Sequence, residues 1–591
     1  MTFVKNKFKQ PIPMKATVSI FILMILTVSS LTAQSFEEMN LPDITTTLSA
    51  SRSAVFVDVN GDGRDDIYFT NGLASGEDNM LYINNGNGTF TTVTDDDIVS
   101  DNSRSVGASF ADVDNDGDID AMMVTWGSGG QPKKNFFYRN EGGGTFTHEP
   151  EVAPNLTYSE TATWIDVNND QYLDLFITNS AYNLINLYFE NQGDGTFQQI
   201  TTHEITNESL PSRSVDWVDY DNDGDSDLFI TNEGNNTNSL FRNDEPDNFT
   251  KITNLAIVQG IRNSMGSAWA DVDNDGDFDL VVVNYESGNQ LFINDNGVFV
   301  EQTGSEIALE TVNSFSAVFG DVDNDGDLDL FISNSYNDAH FTNSLYTNDG
   351  NGNFTKHTTG SLANHQGWTY SAAFGDYNQD GWLDIILANN QNDSQTNSLF
   401  RNTGSGNNWV KIRCFGTDSN RSAIGAIVKV TAVINGNTVT QTRKIEASSG
   451  YCSQNSLTAH FGLGNATSIE EVEIKWPFGT IETYTGLEIN NFYTIEEGIG
   501  LGFNEFQENP FRIFPNPVQN RLYIEGGNKN FNGLKILITT LEGKVVKEEK
   551  IENFDGNNRF TLDFSQLSSA IYIYSISDKN GTVQTGKIIK K

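Results

Sequence analysis

The sequence predicts an all-β protein: a seven-bladed β-propeller followed by a small β domain and a C-terminal β-sandwich. The acidic pattern Asp-x-(Asp/Asn)-x-Asp-Gly-x-x-Asp recurs seven times, at intervals of 50 to 55 residues. Four segments of strand-like composition accompany each copy, and this region lacks the helical periodicity of about 3.6 residues. A fixed period with four short strands per unit is typical of propeller blades.

Each repeat contains the same four predicted strands. A small, apolar strand precedes the acidic loop, as in Ser316–Gly320, and a second apolar strand follows it, as in Leu330–Asn334. A third segment carries Leu-Tyr or Leu-Phe ahead of Asn, and a turn rich in Gly and Asn leads to a fourth strand that opens with an aromatic residue. The aromatic residues are Phe90, Phe146, Phe197, Phe249, Phe299, Phe354 and Trp409.

Seven repeats fit a closed ring, because propellers contain roughly 4–8 blades. The segment Phe36–Met39 has the composition of a fourth strand that opens with Phe, and it precedes the first acidic loop. We therefore expect the propeller, residues 36–405, to close by pairing strands from its two ends. An open solenoid is the alternative.

The acidic loops predict calcium sites. Calcium takes about 6–8 oxygen ligands in flexible geometry, which side chains on alternate residues can supply together with a backbone carbonyl and water. The EF-hand is similar but needs a Glu at its twelfth position, where this sequence has Phe69 in the first copy and Met123 in the second. The predicted ligands, at positions 1, 3, 5 and 9, are Asp58, Asn60, Asp62 and Asp66; Asp112, Asp114, Asp116 and Asp120; Asp166, Asn168, Asp170 and Asp174; Asp219, Asp221, Asp223 and Asp227; Asp271, Asp273, Asp275 and Asp279; Asp321, Asp323, Asp325 and Asp329; Asp376, Asn378, Asp380 and Asp384.

These 28 positions hold 25 Asp and three Asn. Carboxylates packed this densely repel one another unless a cation lies between them. A solvated acidic turn is the alternative for a single loop, because Asp and Asn favour turns, but seven loops in register favour calcium. Up to seven ions would add as much as +14 to the net charge of −44. In the third copy Gln171 replaces the Gly at position 6, which strains the turn.

The repeats resemble the FG-GAP/VCBS repeats of integrin-α-like propellers over roughly residues 36–405. In that family the loop positions given above hold calcium, and the ion is mainly structural. The resemblance implies a propeller whose blades calcium stiffens and whose faces bind partners.

Residues 408–497 form a second predicted domain. Alternating strands such as Ala426–Thr431 and Glu471–Trp476, separated by Gly turns, indicate a compact β domain. The domain resembles the ASPIC/UnbV domain found behind VCBS propellers in the cartilage acidic protein family, a resemblance that implies no settled activity. The matching segments are Ser419–Ala426, Ser449–Gln454, His460–Gly464 and Trp476–Gly479.

Both cysteines of the chain, Cys414 and Cys452, lie in this second domain. In an exported protein they can form a disulfide, which stabilises by about 2–4 kcal/mol if the geometry allows, or remain two buried free thiols. Two Cys in 591 residues exclude a disulfide-dense scaffold and a Cys-rich zinc module.

The C-terminal segment, residues 511–591, differs from the rest in charge. From Asn509 onwards 12 Lys and Arg stand against 8 Asp and Glu, a net charge of +4. The alternating runs Arg521–Glu525 and Leu534–Ile538 predict strands, and Leu541–Lys544 predicts a hairpin turn. A stretch that contains Gly and Asn, residues 498–510, predicts a linker before it.

This segment resembles the type A C-terminal sorting domain of the type IX secretion system of Bacteroidetes. The resemblance implies delivery by the type IX machinery to the cell surface or the medium, with removal of the domain there. A small β-sandwich for binding or stability is the alternative. The matching segments are Phe514–Pro517, Gly543–Val546, Ser569–Tyr574 and Gly586–Lys591.

Residues 1–33 have the pattern of a secretory signal peptide. Four Lys precede an apolar run, Val18–Val28, that is followed by small residues up to Ala33. The run is shorter than the ~20 residues of a membrane span. No later stretch is long enough to cross a bilayer, so we expect no transmembrane segment.

Composition and charge narrow the classes of partner that the protein can bind. A net charge of −44 repels phosphate backbones, so we expect no binding to nucleic acid. With 11% aromatic residues, the chain is not a disordered acidic protein. The predicted partners are the type IX machinery and an unidentified extracellular ligand, either a glycan or a protein.

The sequence contains no recognisable catalytic constellation. It has no His-x-His, no His-Glu-x-x-His, no Gly-x-Ser-x-Gly and no phosphate-cradling loop. A carboxylate pair for glycoside cleavage would be hidden among the many Asp. Two hypotheses therefore remain: an exported calcium-binding adhesion or ligand-binding protein, and an extracellular polysaccharide lyase or hydrolase with an active site on a propeller face. The missing nucleophile and base favour the first.

Overall fold

The computed structural model describes residues 36–127, 131–181, 185–244, 248–336, 342–391, 395–404, 406–502, 511–514, 518, 520–525, 531–540, 544–554, 559–568, 570–578 and 581–590. The predicted signal peptide lies outside the described residues. So do most of the Phe514–Pro517 motif, residues 541–543 of the predicted hairpin turn and residues 503–510 of the predicted linker.

Seven four-stranded antiparallel sheets, one for each repeat, occupy residues 36–402. The first strands are Ser51–Val57, Ser105–Ala111, Ser159–Ile165, Ser212–Val218, Ser264–Ala270, Ser314–Gly320 and Thr369–Gly375. The second strands are Asp66–Asn71, Asp120–Thr125, Asp174–Asn179, Asp227–Asn232, Asp279–Asn284, Asp329–Asn334 and Asp384–Asn389. The third strands are Met80–Asn84, Phe136–Asn140, Leu187–Asn191, Ser239–Asn243, Gln290–Asp295, Ser344–Asn348 and Ser398–Asn402.

The fourth strands are short and lie at the outer edges of the sheets. They are Phe90–Thr92, Phe146–His148, Phe197–Ile200, Phe249–Ile252, Val298–Glu301 and Phe354–Lys356, with Phe36–Glu38 as the fourth strand of the last sheet. Minor elements are the strand pair Leu48–Ser49 and Gln395–Thr396, the short helix Glu306–Leu309, and the 3₁₀ turns Asp97–Val99, Glu204–Thr206 and Ala256–Val258.

Burial explains the composition of the strands. The second strands are buried along their whole length, and the first strands nearly so, which is why their sequences are continuously small or apolar instead of alternating. The aromatic residue that opens a fourth strand packs on the first strand of the same repeat. The ring centroids of Trp164 and Phe197 are 5.9 Å apart, as are those of Trp217 and Phe249.

The first and last repeats are in contact. Phe36–Glu38 pairs antiparallel with Ser398–Asn402, as its composition predicted. The Ala54 backbone N–H donates to Ser371 Oγ at 3.0 Å, and Ser371 Oγ donates to the Arg52 carbonyl at 2.6 Å.

Trp409 does not open the fourth strand of the last repeat, contrary to the sequence-based expectation. It lies in Asn408–Phe415, a strand of the next domain, and Phe36–Glu38 takes the expected place.

The domain after the repeats contains two four-stranded sheets. One has the order Thr458–Gly464, Asn408–Phe415, Asn491–Glu496, Gly500–Gly502, and the other has the order Asn437–Lys444, Ile427–Ile434, Ile469–Lys475, Ile481–Tyr484. The strand Gly500–Gly502 pairs with Thr494–Glu496 and shortens the predicted linker of residues 498–510, because its backbone completes the edge of the first sheet.

A loop of this domain, residues 445–456, enters the space that the first strands of the repeats line; we call it the plug. The backbone of Gln454 pairs with Ala54 and Phe56 of the first repeat at 3.2 Å. The Gln454 side-chain amide donates to the Phe110 carbonyl at 2.9 Å and accepts from the Phe110 N–H at 2.8 Å. Tyr451 donates its hydroxyl proton to buried Glu160 of the third repeat at 2.6 Å.

The plug also reaches the other four repeats. Gly450 accepts from Ser214 Oγ at 3.0 Å, and the Tyr451 N–H donates to Ser316 Oγ at 2.9 Å. Asn455 accepts from the Phe374 N–H at 2.8 Å. In the fifth repeat a Cβ on Gly266 would lie 3.2 Å from the Tyr451 Cβ. The plug therefore contacts the first strand of every repeat.

The two cysteines are free thiols in the structure and do not form a disulfide. Cys414 lies in the strand Asn408–Phe415 and Cys452 lies in the plug, and both are buried. Burial raises the pKa of Cys414 to about 12 and raises the pKa of Cys452 further.

The C-terminal segment forms two further sheets. One has the order Arg512–Phe514, Arg521–Glu525, Arg559–Asp563, and the other has the order Val545–Phe554, Phe531–Thr540, Ala570–Asp578, Gly581–Lys590. Leu522 and Ile524 of the first sheet share one apolar core with Ile536 and Ile576 of the second. Both strands predicted here from alternation are present. Among the described residues, no helix is long and apolar enough to cross a membrane.

Candidate metal centres in the acidic loops

Each acidic loop joins the first strand of a repeat to the second, and in six of the seven loops the backbone N–H at position 6 donates to the carboxylate at position 1. In the first loop, Asp58 accepts hydrogen bonds from the N–H groups of Asp62 at 3.0 Å and Gly63 at 2.8 Å. Asp321 receives the equivalent bonds in the sixth loop, at 3.1 and 2.9 Å. These bonds curl the loop so that its oxygen-bearing side chains converge.

The Asp at position 9 ties each loop to the third strand of its own sheet. Its Oδ1 accepts from the backbone N–H of an Asn in all seven repeats, at 2.7 to 3.0 Å. These residues are Asn84, Asn140, Asn191, Asn243, Asn294, Asn348 and Asn402. This Asn recurs 15 to 20 residues after position 9 in every repeat, and that recurrence is the signal from which its function could have been predicted.

Two residues of each loop adopt the left-handed conformation. One is the Gly at position 6, and the other is position 4, occupied mostly by Asn, which tolerates this conformation. Gln171, where Gly was expected, has a φ of 82° and still donates its N–H to Asp166 at 2.9 Å. The third loop therefore keeps the common fold at the cost of a strained residue.

The side chains at position 4 link neighbouring loops. Asn115 donates to the Gln171 carbonyl at 3.0 Å, and Asn274 donates to Asp327 at 2.9 Å. Gln379 of the last loop donates to the Gly63 carbonyl of the first at 2.8 Å. Sequence analysis did not assign this position, because its function depends on the distance between repeats.

Carboxylates cluster in four loops, with oxygen atoms that lie within 4.8 Å of one another. The clusters are Asp112, Asp114 and Asp116; Asp219, Asp221 and Asp227; Asp271, Asp273 and Asp279; Asp321, Asp323 and Asp325. In the other three loops Asn60, Asn168 and Asn378 stand at position 3, where an amide oxygen replaces a carboxylate.

The residues present fit a hard divalent cation. Asp219 Oδ1, Asp221 Oδ1 and Asp273 Oδ1 are buried without a hydrogen-bond partner, and a buried oxygen without a partner is costly. Burial, together with Asp221, raises the pKa of Asp227 to about 9. Burial, together with Asp273, raises the pKa of Asp279 to about 8. An ion with two positive charges would stabilise these carboxylates, and an all-oxygen donor set suits calcium.

Basic side chains make the loops unequal. Arg139 Nη1 lies 2.9 Å from carboxylate oxygens of both Asp114 and Asp120 in the second loop. Lys411 forms an ion pair with Asp376 in the seventh loop. These cations lower the negative charge available to a metal in their own loops.

The second domain rests directly on the loops. Besides Lys411, Gly462 donates its N–H to Asp321 at 3.1 Å, and Ser456 Oγ donates to Asp65 at 2.9 Å. His460 Nε2 lies 3.0 Å from the Gly381 carbonyl, and burial lowers the pKa of His460 to about 4. These contacts give His460 a structural function.

A cavity of about 470 Å³ lies where this domain meets the loops. Its polar lining includes Asp65, Lys411, Arg413 and His460. Three of these side chains are engaged in the contacts just described, and burial lowers the pKa of Arg413 despite its neighbours Asp58 and Asp65. The cavity belongs to the contact between the two domains.

Three protein families match parts of the chain. An FG-GAP-like repeat matches residues 58–123, 166–230, 219–282, 271–332 and 325–387. The family described as ASPIC and UnbV matches residues 416–501, and a secretion system C-terminal sorting domain matches residues 512–591. The sorting domain indicates export by a type IX secretion system.

Cartilage acidic protein 1 of Xenopus tropicalis is 25% identical over 453 residues, which are 72% of this chain and 61% of that protein. The Homo sapiens protein of the same name is 24% identical over 271 residues, which are 43% of this chain and 39% of that protein. The alignments thus span less than two thirds of these relatives. A solved Agrocybe aegerita lectin, described for specific recognition of non-reducing terminal N-acetylglucosamine, has a TM-score of 0.37 and 19% identity, covering 53% of this chain and 79% of that chain.

The repeats with their acidic loops, the second domain and the C-terminal sheets therefore agree with the three family matches. The chain carries FG-GAP-like repeats, an ASPIC and UnbV domain and a secretion system C-terminal sorting domain, and it is a distant relative of cartilage acidic protein 1.

Proposed function

We propose that the protein is an exported, calcium-stabilised propeller that binds an extracellular ligand, delivered by type IX secretion to the cell surface or the medium. The convergence of buried carboxylates in the acidic loops carries this proposal. A folded protein gains little from burying so many charges unless a cation compensates them. The loops follow the ends of the first strands, and we assign the face at the starts of these strands to the ligand.

The repeats form a closed propeller in this proposal. Its support is the set of contacts between the two ends: the pairing of Phe36–Glu38 with Ser398–Asn402 and the bond from Gln379 to Gly63. Asn84 adds a third link, because its side chain donates to the Tyr377 carbonyl at 2.7 Å.

Calcium would be held by the side chains at positions 1, 3, 5 and 9 of each loop, up to seven ions in all. It would supply positive charge where the loops have an excess of carboxylates. Because the second domain rests on the same loops, calcium would also stiffen the support of the plug.

The domain boundaries that we propose are a signal peptide at 1–33, the propeller at 36–405, the second domain at 408–497 and the sorting domain at 511–591. The last of these is testable on its own. Deletion of 511–591 should leave a folded protein that accumulates in the periplasm, whereas fusion of this segment to an exported reporter should carry the reporter across the outer membrane. Normal delivery without the segment would refute its sorting function.

The sequence also allows an extracellular lyase or hydrolase, but the geometry favours a ligand-binding function. Ionisable groups of the cavity between the two domains are engaged in contacts between them, as Lys411 is with Asp376 and Asp65 is with Ser456. A binding screen on calcium-loaded protein against glycans and matrix proteins, with lyase and hydrolase assays on the same polysaccharides, separates the two functions. Turnover of any polysaccharide would refute the proposal.

A further inference from the structure

Arg and aromatic side chains gather at the end of the propeller centre that faces away from the acidic loops. We call this group the mouth cluster; it consists of Arg52, Arg104, Trp126, Tyr336, Trp368 and Tyr370. All six lie near the starts of first strands or just after second strands, whereas the acidic loops follow the ends of first strands. The plug reaches this end from inside, since Tyr451 shares a buried apolar group with Tyr370.

The two guanidinium groups of the cluster form no ion pair of their own among the described residues, and Glu160, the carboxylate whose charge acts on both, is already paired with Arg213. Arg52 is 8% exposed, lies over the Tyr370 ring at 5.1 Å, and its Nε has no hydrogen-bond partner. Arg104 lies over the Trp126 ring at 4.4 Å and approaches the carbonyls of Gly72 at 3.3 Å and Gly127 at 3.5 Å. Within the described part of the chain, neither Arg forms an ion pair.

The surroundings emphasise this excess of positive charge. Arg213, the third Arg nearby, is neutralised by Glu160 at 2.7 Å and by Glu233. Burial and the nearby charge of Arg52 both lower the pKa of Arg104. Gly72 makes room for the pair, because a Cβ there would lie 2.3 Å from Arg52 Nε. A buried cation without a partner is costly, and a bound anion would remove that cost.

The aromatic members indicate what carries the anion. Tyr336 is 43% exposed and its ring lies 4.9 Å from that of Trp368, so a broad ring surface faces solvent beside the guanidinium groups. Aromatic walls with a few polar groups are typical of small-ligand sites, and flat rings accept the apolar faces of sugars. A peptide bound by strand addition would need a free strand edge to pair with, but the strands present their ends here.

The net charge restricts the ligand further. At −44 the protein repels polyanions at long range, so a chain with an acid group on every sugar is disfavoured. We propose that the mouth cluster binds a saccharide with one terminal carboxylate: Arg52 and Arg104 hold the acid group, and the rings of Tyr336, Trp368 and Trp126 pack against the sugars. This inference rests on the proposed function, because it names the ligand class of the free propeller face.

The test is a calorimetric titration of the whole calcium-loaded protein. The acidic probes are glucuronate-capped xylotriose and N-acetylneuraminyl-lactose, and the matched neutral probes are xylotriose and lactose. We expect at least one acidic probe to bind at least about tenfold more tightly than its matched neutral probe. A charge-assisted hydrogen bond gives a difference in affinity of this size. Arg52→Gln and Arg104→Gln should each remove that preference.

Arg242→Gln is the matched control, since it makes the same charge change at a surface Arg whose partner is Asp244 at 2.7 Å. It should leave binding unchanged. Tyr336→Ala removes an exposed ring and so tests the cluster without creating a cavity in the core. It should weaken the binding of an acidic probe and of its neutral counterpart alike. Equal affinity for acidic and neutral probes, absence of binding to all four, or unchanged binding in either Arg variant would overturn the proposal. Tighter binding of a Glu-rich peptide would assign the cluster to peptides and overturn it as well.

The calcium content of the same samples, measured by elemental analysis, separates this inference from the proposed function. Calcium-replete protein that fails these titrations refutes the mouth cluster alone. Protein that contains no calcium after equilibration with the ion refutes the calcium-stabilised propeller itself.

Discussion

The plug predicts that one buried amide holds the first two repeats together. Gln454 is fully buried, and its side chain bonds the N–H and the C=O of Phe110 at 2.8 and 2.9 Å while its backbone pairs with the first repeat. Replacement of Gln454 by Ala removes the side-chain partners of the Phe110 N–H and C=O groups.

The magnitude follows from the two orphaned groups. Each buried backbone group that loses its partner costs about 1–3 kcal/mol. Gln454→Ala should therefore destabilise the contact between the first and second repeats by roughly 2–6 kcal/mol, with a minor contribution from lost packing. The backbone bonds of Gln454 to Ala54 and Phe56 survive the change, so the plug should stay in place.

Native-state hydrogen exchange measures this effect where it occurs. A chain with several domains need not unfold in one step, so the exchange rate of the Phe110 amide is a better observable than a global transition. We expect its protection to fall by at least about tenfold, since 1.4 kcal/mol corresponds to a factor of ten. Gln198→Ala, at an exposed position of a fourth strand, is the control. Equal protection of Phe110 in the two variants would refute the reasoning.

Three further predictions concern the loops and the thiols. Asp323→Ala with Asp325→Ala should lower the calcium content by one ion and leave the other loops loaded; undiminished content by elemental analysis would contradict the assignment of this loop. In chelated protein, burial raises the pKa of Asp227 in the folded state to about 9. The stability that this protonated group contributes is complete below its unfolded pKa and is lost as pH rises through its folded pKa. The melting temperature should therefore fall between about pH 5 and pH 9. Calcium should abolish this fall, and a chelated protein that gains stability as pH rises would contradict it. Cys414 and Cys452 should react with a thiol reagent only after unfolding, because burial raises both pKa values; rapid labelling of native protein would be inconsistent with their burial.

The repeats were predictable because their signals are local. A period of 50 to 55 residues, an apolar strand on each side of an acidic loop and an aromatic residue at the start of a fourth strand all recur within single repeats. The seven sheets follow that pattern, and the exception is instructive. Trp409 has the right residue type and spacing for a fourth strand, but Phe36–Glu38 pairs with the last third strand instead.

The plug could not be predicted from the sequence, because its function depends on contacts with residues that are distant in sequence. Ser449–Gln454 carries part of a family resemblance, and its sequence is otherwise typical of an ordinary turn. What makes it a plug is the ring of backbone groups that the first strands present to it, such as the Phe110 peptide. The same holds for Gln379, whose partner Gly63 lies in the first repeat. The basic side chains in the loops, such as Arg139, were likewise invisible in the spacing of the acidic motif.

Calcium stoichiometry tests the central claim most directly. The purified protein is equilibrated with calcium, passed into calcium-free buffer by gel filtration and analysed for metal, and its melting temperature is compared before and after exhaustive chelation. The account predicts between four and seven ions per chain, one for each carboxylate cluster and up to one for each loop, and a marked fall in melting temperature on chelation, because ions bound by the folded state stabilise it by mass action. A protein that retains no calcium and melts at the same temperature with and without chelator would contradict it.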